Sequence, residues 1–228
     1  MTRRGSSRLA GLAFLLYFAF GIPTMVLFKR ATAGEGVAAK LASIAQHTSD
    51  MKTAVLFVLF TSFCALVLGV TLWAITREQD ADLAMLAMIC RVCEGLAGAL
   101  SVQRSVGLLW LASPAGPNSP DAATTHALGA WLLGGQVSGM GAIFFAVGST
   151  LFAWLLLRGR VVPVPLAWLG VVSSAAAVVV LPLEFVDLFP SRWIWYVWLP
   201  LAAYEVPLAL WLLMKGAAAP PARSAMAA

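Results

Sequence analysis

Charged side chains are scarce in this sequence. They make up 11% of its 228 residues, whereas soluble chains carry about 25%. Hydrophobic residues make up 61%, and a soluble fold would leave much of that apolar surface exposed to water. The shortage of charge therefore argues against a soluble domain and predicts an integral membrane protein, for which the bilayer is the apolar solvent.

Histidine and lysine are also scarce where intramembrane chemistry would need them. The only histidines, His47 and His126, fall outside the apolar runs or at their outer edge. A bis-histidine haem, an HExxH zinc site and an intramembrane Ser–His dyad therefore lack their residues. No lysine falls inside an apolar run, which excludes a retinal Schiff base, and no GK[ST] loop indicates ATP binding. We expect no cofactor and no metal, and an enzyme is the least favoured class because no nucleophile–base set is complete.

The cysteines are few and lie within apolar runs. They are Cys64, Cys90 and Cys93, and none occupies an outer loop where an oxidising compartment would pair it. The Cys90-x-x-Cys93 spacing resembles a redox or metal motif, but no histidine lies at the same depth. We interpret these cysteines as small apolar packing residues.

Long hydrophobic runs predict the fold. A spanning helix needs about 20 apolar residues, and only helices or closed barrels satisfy their backbone inside lipid. We predict an all-α, polytopic transmembrane bundle within residues 9–215. Its spans are about 9–28, 53–75, 83–111, 127–157, 162–185 and 193–214.

The connecting segments have their own patterns. Residues 36–47 place apolar side chains at helical spacing, which predicts a short amphipathic helix on the outer surface, with an ordinary connector as the alternative. Residues 113–121 are rich in proline and predict an irregular loop. Residues 1–8 are predicted to be a cytoplasmic tail, and residues 216–228 a disordered cytoplasmic tail.

Basic residues predict the orientation. With the N-terminus inside, inner segments hold eight Lys and Arg residues and outer segments hold five, which favours both termini in the cytoplasm. The net charge of +5 resides mainly beside the spans, so membrane lipids are expected partners and nucleic acid is not. A cleaved signal peptide ending near residues 31–33 is the alternative for the first run, but the length of the run favours a retained helix.

Ionisable residues inside the spans are the most informative feature. Such groups cost several kcal/mol in lipid unless they pair or face a wet interior. At 1.5 Å per residue, Arg91, Glu94 and Glu205 form an inner layer, whereas Arg104 and Glu184 form a second pair near the outer boundary. We predict that Arg91 contacts Glu94, Glu205 or both. Together these three charges sum to −1 if all are ionised, so one carboxyl should be protonated or face water.

The inner layer has two interpretations. It is the binding site of a small transporter or binding protein for an unknown small molecule, or its charges only hold the bundle together in a structural or partner protein. Pro200 and Pro207 bracket Glu205 and free backbone carbonyls, and broken helices accompany binding sites in transporters. Proline is also common in ordinary spanning helices, so both interpretations stay open.

The fourth span is rich in glycine. Small residues allow close approach of helices, which predicts tight packing within the bundle or, as the alternative, a homodimer. The glycines concerned are Gly134, Gly135, Gly139, Gly141 and Gly148.

Five different short patterns are spread along nearly the whole chain. They are Leu9-Ala10-Gly11-Leu12, Arg91-Val92-Cys93-Glu94, Phe144-Phe145 with Gly148, Leu166-Ala167-Trp168-Leu169-Gly170, and Glu205 followed by Leu210-Trp211-Leu212-Leu213-Met214-Lys215-Gly216. Together they resemble a widespread family of small bacterial six-span membrane proteins known only as a domain of unknown function. The resemblance implies a bacterial inner (cytoplasmic) membrane. It implies no known activity and assigns no catalytic residue.

Overall fold

The helical content expected of a membrane bundle is present. The computed structural model describes residues 2–113, 120–134 and 137–217, with all side chains except those of residues 137, 138 and 191. In these ranges the chain is helical and forms no strand. The helices are α1 (Arg3–Ala31), α2 (Gly36–Gln46), α3 (Thr48–Thr76), α4 (Ala81–Leu111), α5 (Ala122–Gly134), α6 (Val137–Arg158), α7 (Val164–Phe185) and α8 (Trp195–Met214), with a 3-10 turn at Ser191–Trp193.

Six stretches are long and apolar enough to cross a membrane. Five are α1, α3, α4, α7 and α8, and the fourth in chain order is supplied by α5 and α6 together. The predicted six-span, all-α bundle is thereby confirmed, and the chain is a multi-pass membrane protein. Residues 114–119 of the predicted loop at 113–121, Gly135, and residues 218–228 of the predicted tail at 216–228 lie outside the described residues.

Several helices begin before the apolar runs that predicted them. The Thr2 hydroxyl accepts a hydrogen bond from the Gly5 N–H at 3.2 Å, and the Asp80 carboxylate accepts one from the Leu83 N–H at 3.1 Å. These caps satisfy backbone donors that have no partner within the helix. The helical backbone therefore starts at a polar cap, whereas hydrophobicity marks only the part suited to lipid.

The spanning helices form a closed ring. Each packs against its neighbours in the order α1, α3, α4, α6, α7, α8, and α8 returns to α1. Because the number of spans is even, both termini lie at one face, which we call the termini face. There the Ser7 hydroxyl accepts a hydrogen bond from the Ala217 N–H at 3.0 Å. The opposite side, where α2 and the start of α5 lie, is the distal face.

The core is continuous near the termini face and divided near the distal face. In the termini half, one cluster of buried residues draws on all six spans, including Phe14, Leu72, Phe152 and Leu208. In the distal half there are two clusters. One joins α6, α7 and α8, and the other joins the end of α1 with α2, α3 and α4. The ring is therefore densely filled at one end and divided at the other.

The seam between α1 and α8, which is the interface where these two helices meet, is also tightly packed near the termini face and loosely packed near the distal face. Near the termini face, a Cβ built on Gly11 would lie 2.6 Å from both the Ala209 carbonyl oxygen and the Leu213 nitrogen. Only glycine allows the two backbones to come this close. Beyond Phe14, no residue of α1 is buried until Ala31, so α1 loses its deep packing in the distal half.

The short helix predicted between the first two spans is present as α2. Leu41 and Ile44 are buried, and Val37 and Leu41 pack against Gly129 of α5. The apolar side of α2 therefore faces the protein. The predicted short amphipathic helix is thereby confirmed, and α5 supplies the partner for its apolar side.

Candidate functional site

Arg91 of α4 is the centre of the intramembrane charged cluster. Its Nη1 donates to Glu94 Oε2 at 2.9 Å, and its Nη2 donates to Glu205 Oε1 of α8 at 3.3 Å. Nη2 also donates to the Ser149 hydroxyl of α6 at 3.0 Å. The predicted contacts of Arg91 with both carboxylates are therefore present. Three helices meet at one guanidinium group.

Tyr17 brings a fourth helix, α1, into contact with the cluster. The Tyr17 hydroxyl donates to Glu94 Oε1 at 2.7 Å. Sequence reasoning missed Tyr17 and Ser149 because it considered charged residues alone. Each lies eight residues from the inner end of its predicted span, which is also the depth of Arg91. A search for polar side chains at the depth of Arg91 would have identified both residues.

The cluster is deeply buried. Arg91 is 1% exposed, Glu205 3% and Glu94 7%. The Arg91 guanidinium carbon lies 4.7 Å from the centre of the Phe145 ring and 5.8 Å from that of Phe14, distances typical of cation–π contact. In a low-dielectric interior such charges are stable only when they are paired and hydrogen-bonded.

Small residues on neighbouring helices make room for the Arg91 side chain. A Cβ built on Gly69 of α3 would lie 3.1 Å from Arg91 Cβ, and one built on Gly148 of α6 would lie 3.6 Å from Arg91 Cγ. Added side chains here would press on the stem of Arg91. The glycines therefore help to hold the guanidinium group where the helices converge.

Three cavities meet at the cluster on its distal side. The largest, of about 470 Å³, is lined by Tyr17, Glu205 and Trp198 among others. A second, of about 220 Å³, is lined by Tyr17, Glu94 and Trp198, and a third, of about 120 Å³, by Tyr17, Glu94 and Thr61. Both carboxylates therefore border open space.

The other side of the cluster is filled with apolar side chains. One helical turn nearer the termini face, Phe14, Ala87, Phe152 and Leu208 all belong to the continuous core. Side chains one turn apart on the same helix face lie above one another. The charged layer is therefore the floor of a hollow that is open toward the distal half and closed toward the termini face.

The second predicted pair has a different arrangement. Arg104 donates through Nε to the Leu132 carbonyl and through Nη2 to the Leu133 carbonyl at 2.9 Å. These carbonyls belong to the last turn of α5. Glu184 lines a cavity of about 300 Å³ with Trp198. In the ring α6 separates α4 from α7, and an Arg104–Glu184 pair stays a prediction.

The glycines of the fourth span pack within the bundle. Gly141 meets Ala97 of α4 and Gly139 meets Phe185 of α7, while Gly134 has open space beside it. Gly148 packs on α4 beside Arg91, so packing inside the bundle explains three of these glycines. A homodimer through this span stays a prediction.

The cysteines resemble packing residues. Cys64 and Cys90 are buried, Cys93 is half-buried, and all three are free thiols. A Cβ built on Gly148 would lie 3.1 Å from the Cys90 Cβ, so Cys90 belongs to a close helix contact. Within the described part of the chain, no group of three or more His, Cys, Asp or Glu side chains is placed to hold a metal ion.

Comparison with known proteins gives a family. The family model described as "Domain of unknown function (DUF4386)" matches residues 9–216. The match covers most of the chain, so the chain belongs to this family. No curated protein matches the chain, and no solved structure matches it.

Proposed function

We propose that this member of the DUF4386 family is a small transporter or binding protein that holds an organic cation at the Arg91/Glu94/Glu205 cluster. The observation that carries the proposal is that Glu94 and Glu205 both border cavities although the cluster is buried. A purely architectural ion pair has no need of such open space beside its carboxylates.

Charge supports a cationic ligand. Arg91 and the two carboxylates sum to −1 when all are ionised, and low dielectric disfavours an unbalanced charge. Arg91 is already held by both carboxylates, so it is poorly placed to receive an anion. A monocation beside Glu205 brings the sum to zero.

The aromatic lining supports the same ligand class. Tyr17, Phe145 and Trp198 line the two larger of the three cavities that meet at the cluster. Quaternary and other alkylammonium groups bind on aromatic faces because the ring quadrupole attracts positive charge. The largest cavity, of about 470 Å³, also has a volume typical of small-molecule sites, which run from about 300 to 1,000 Å³.

Transport is the further part of the proposal. One-sided access to a site near the membrane midplane is typical of one state of an alternating-access transporter. Passage to the termini face would require the seam at Gly11 and Ala209 to separate. Binding needs no such movement, so binding is tested first.

The architectural function is the alternative. Its support is that Arg91 contacts both carboxylates and Ser149, so the cluster already ties three helices without a ligand. Buried ion pairs of this kind can fix helix packing. The two functions differ in whether a cation binds.

The experiment is a binding titration in nanodiscs with choline and its uncharged isostere 3,3-dimethylbutan-1-ol. We expect choline to bind at least about tenfold more tightly than the isostere, a difference of about 1.4 kcal/mol. Glu205→Gln should remove this preference, and Glu35→Gln, which changes an exposed carboxylate, should preserve it. Equal binding of the two probes, or no binding of either, would overturn the cation site and leave the architectural function.

The location belongs to the same proposal. We propose the bacterial cytoplasmic membrane, with the termini face in the cytoplasm. Basic residues support this orientation because Arg3, Arg158 and Lys215 lie at the termini face, and cytoplasmic segments carry an excess of Lys and Arg.

A further inference from the structure

We infer that the cation is an amphipathic amine with a single alkyl chain, and that it reaches the cluster from the bilayer through a slot between the distal halves of α1 and α8. The inference rests on the proposed cation site and names its ligand class and route. The slot is lined by Gly21, Ile22 and Met25 of α1 and by Trp195 and Ala202 of α8.

The slot exists because the seam between α1 and α8 is closed only in the termini half. There Gly11 contacts the backbone of Ala209 and Leu213. In the distal half, α8 packs through Val197 and Leu201 on α6 and α7, while the end of α1 packs with α2, α3 and α4. Each helix is held by a different cluster, and the largest cavity lies between them.

The outer edge of the slot is formed by exposed apolar side chains. Ile22 is 59% exposed, Met25 58% and Trp195 57%. These side chains belong to spanning helices, so their exposed surface faces hydrocarbon or the interface, where tryptophan is favoured. A molecule dissolved in the bilayer can therefore reach the slot without passing through water.

The inner end of the slot is acidic, and the remainder is mostly apolar. Glu205 lies ten residues from Trp195 on α8, or about 15 Å along the helix axis. No Lys or Arg is among the described residues that line this cavity. An ammonium group at Glu205, with an alkyl chain directed toward Ile22 and Met25, matches both ends. A phosphate headgroup would bring another negative charge beside Glu205.

The test uses a photoreactive long-chain alkylamine, with its diazirine near the chain end, in nanodiscs at a low mole fraction. A long-chain alcohol with the same diazirine is the uncharged control. We expect the amine to label Ile22, Met25 or Trp195 about tenfold more than the alcohol does, the ratio that corresponds to one charge contact of about 1.4 kcal/mol. Glu205→Gln should bring the two yields together.

A second variant tests the route. Gly21 borders the slot, and a Cβ built on it meets nothing within 4 Å, so the side chain of Gly21→Trp starts into the open space of the slot. We expect it to reduce amine labelling about tenfold or more, because the indole occupies the path of the chain. Ala19→Trp adds the same ring at an exposed position of α1 and should leave labelling unchanged.

The outcomes separate this inference from the proposed function. Equal labelling by amine and alcohol, or unchanged labelling in Gly21→Trp, would overturn the inference that an amine enters through the slot. This holds even when choline still binds at Glu205. Failure of choline to bind overturns the cation site itself. A bilayer phospholipid that native mass spectrometry finds bound, and that the amine does not displace, assigns the slot to a structural lipid and also overturns the inference.

Discussion

The Arg91 guanidinium and the Glu205 carboxylate lie 3.3 Å apart although 114 positions separate them in the chain. They belong to α4 and α8, which are not neighbours in the ring. Their contact therefore crosses the inside of the bundle. It joins α4, which packs with the end of α1, directly to α8.

Breaking this contact should destabilise the bundle. Arg91→Ala leaves two buried carboxylates without their cation, and we expect a loss of about 3–5 kcal/mol, the scale for removing one partner of a buried pair. Glu205→Ala should cost less because Glu94 still pairs with Arg91. Thermal unfolding in detergent of both variants and of the double variant measures the coupling. Simple addition of the two losses would show that the residues are not coupled.

Two glycines of α1 should respond in opposite directions to the same substitution. Gly11→Ala places a methyl group 2.6 Å from backbone atoms of α8, so we expect a loss of about 1–3 kcal/mol from overpacking. Gly21→Ala meets open space and should gain about 0.5–1 kcal/mol from helix propensity. Unfolding midpoints of the two variants in the same detergent provide the comparison. Similar losses at both positions would contradict a seam that opens toward the distal face.

Arg104 should stabilise the end of α5 through its hydrogen bonds to the carbonyls of Leu132 and Leu133. We expect Arg104→Ala to cost about 1.5–3 kcal/mol, the usual range for hydrogen bonds to a charged group. Arg30→Ala is the control, since Arg30 is an exposed residue whose pair with Asp50 should contribute about 0–1 kcal/mol. Equal effects of the two variants on thermal unfolding would contradict this function of Arg104.

The orientation can be measured by labelling with a membrane-impermeant maleimide. The three native thiols lie in the spans and should not react, so the unmodified chain is the control. We expect Ser119→Cys to be labelled on intact cells and Ser224→Cys only after the cells are opened. The reverse pattern would invert the orientation, and labelling of both positions from outside would contradict the three spans that separate them.

Much of the fold follows from composition and local pattern. Apolar runs of spanning length predicted all six spans, and apolar residues at helical spacing predicted α2. These features depend on chemistry that each segment carries by itself, because a helix in lipid needs only its own backbone hydrogen bonds and an apolar surface. Helix ends were less accurate because polar caps such as Thr2 extend a helix beyond its apolar run.

The charged layer shows where local pattern stops being sufficient. Depth along each span placed Arg91, Glu94 and Glu205 at one level, and the structure joins them. Depth also placed Arg104 and Glu184 at one level. Depth along a span does not, however, show which helices are neighbours in the ring, and contact between two residues requires both. The structure directs Arg104 to the carbonyls of Leu132 and Leu133 in α5, a contact that depends on how two helices pack.

The sequence by itself therefore determined that this chain crosses a membrane six times, which residues are costly to bury there, and how deep each lies. The tertiary structure alone decided which of them touch, that Tyr17 and Ser149 complete the cluster, and that its distal side is hollow. The physical reason is that depth depends on the rise of a single helix, whereas contacts and cavities depend on how six helices pack. Packing is decided by long-range fits such as Gly11 against Ala209, which no local segment encodes.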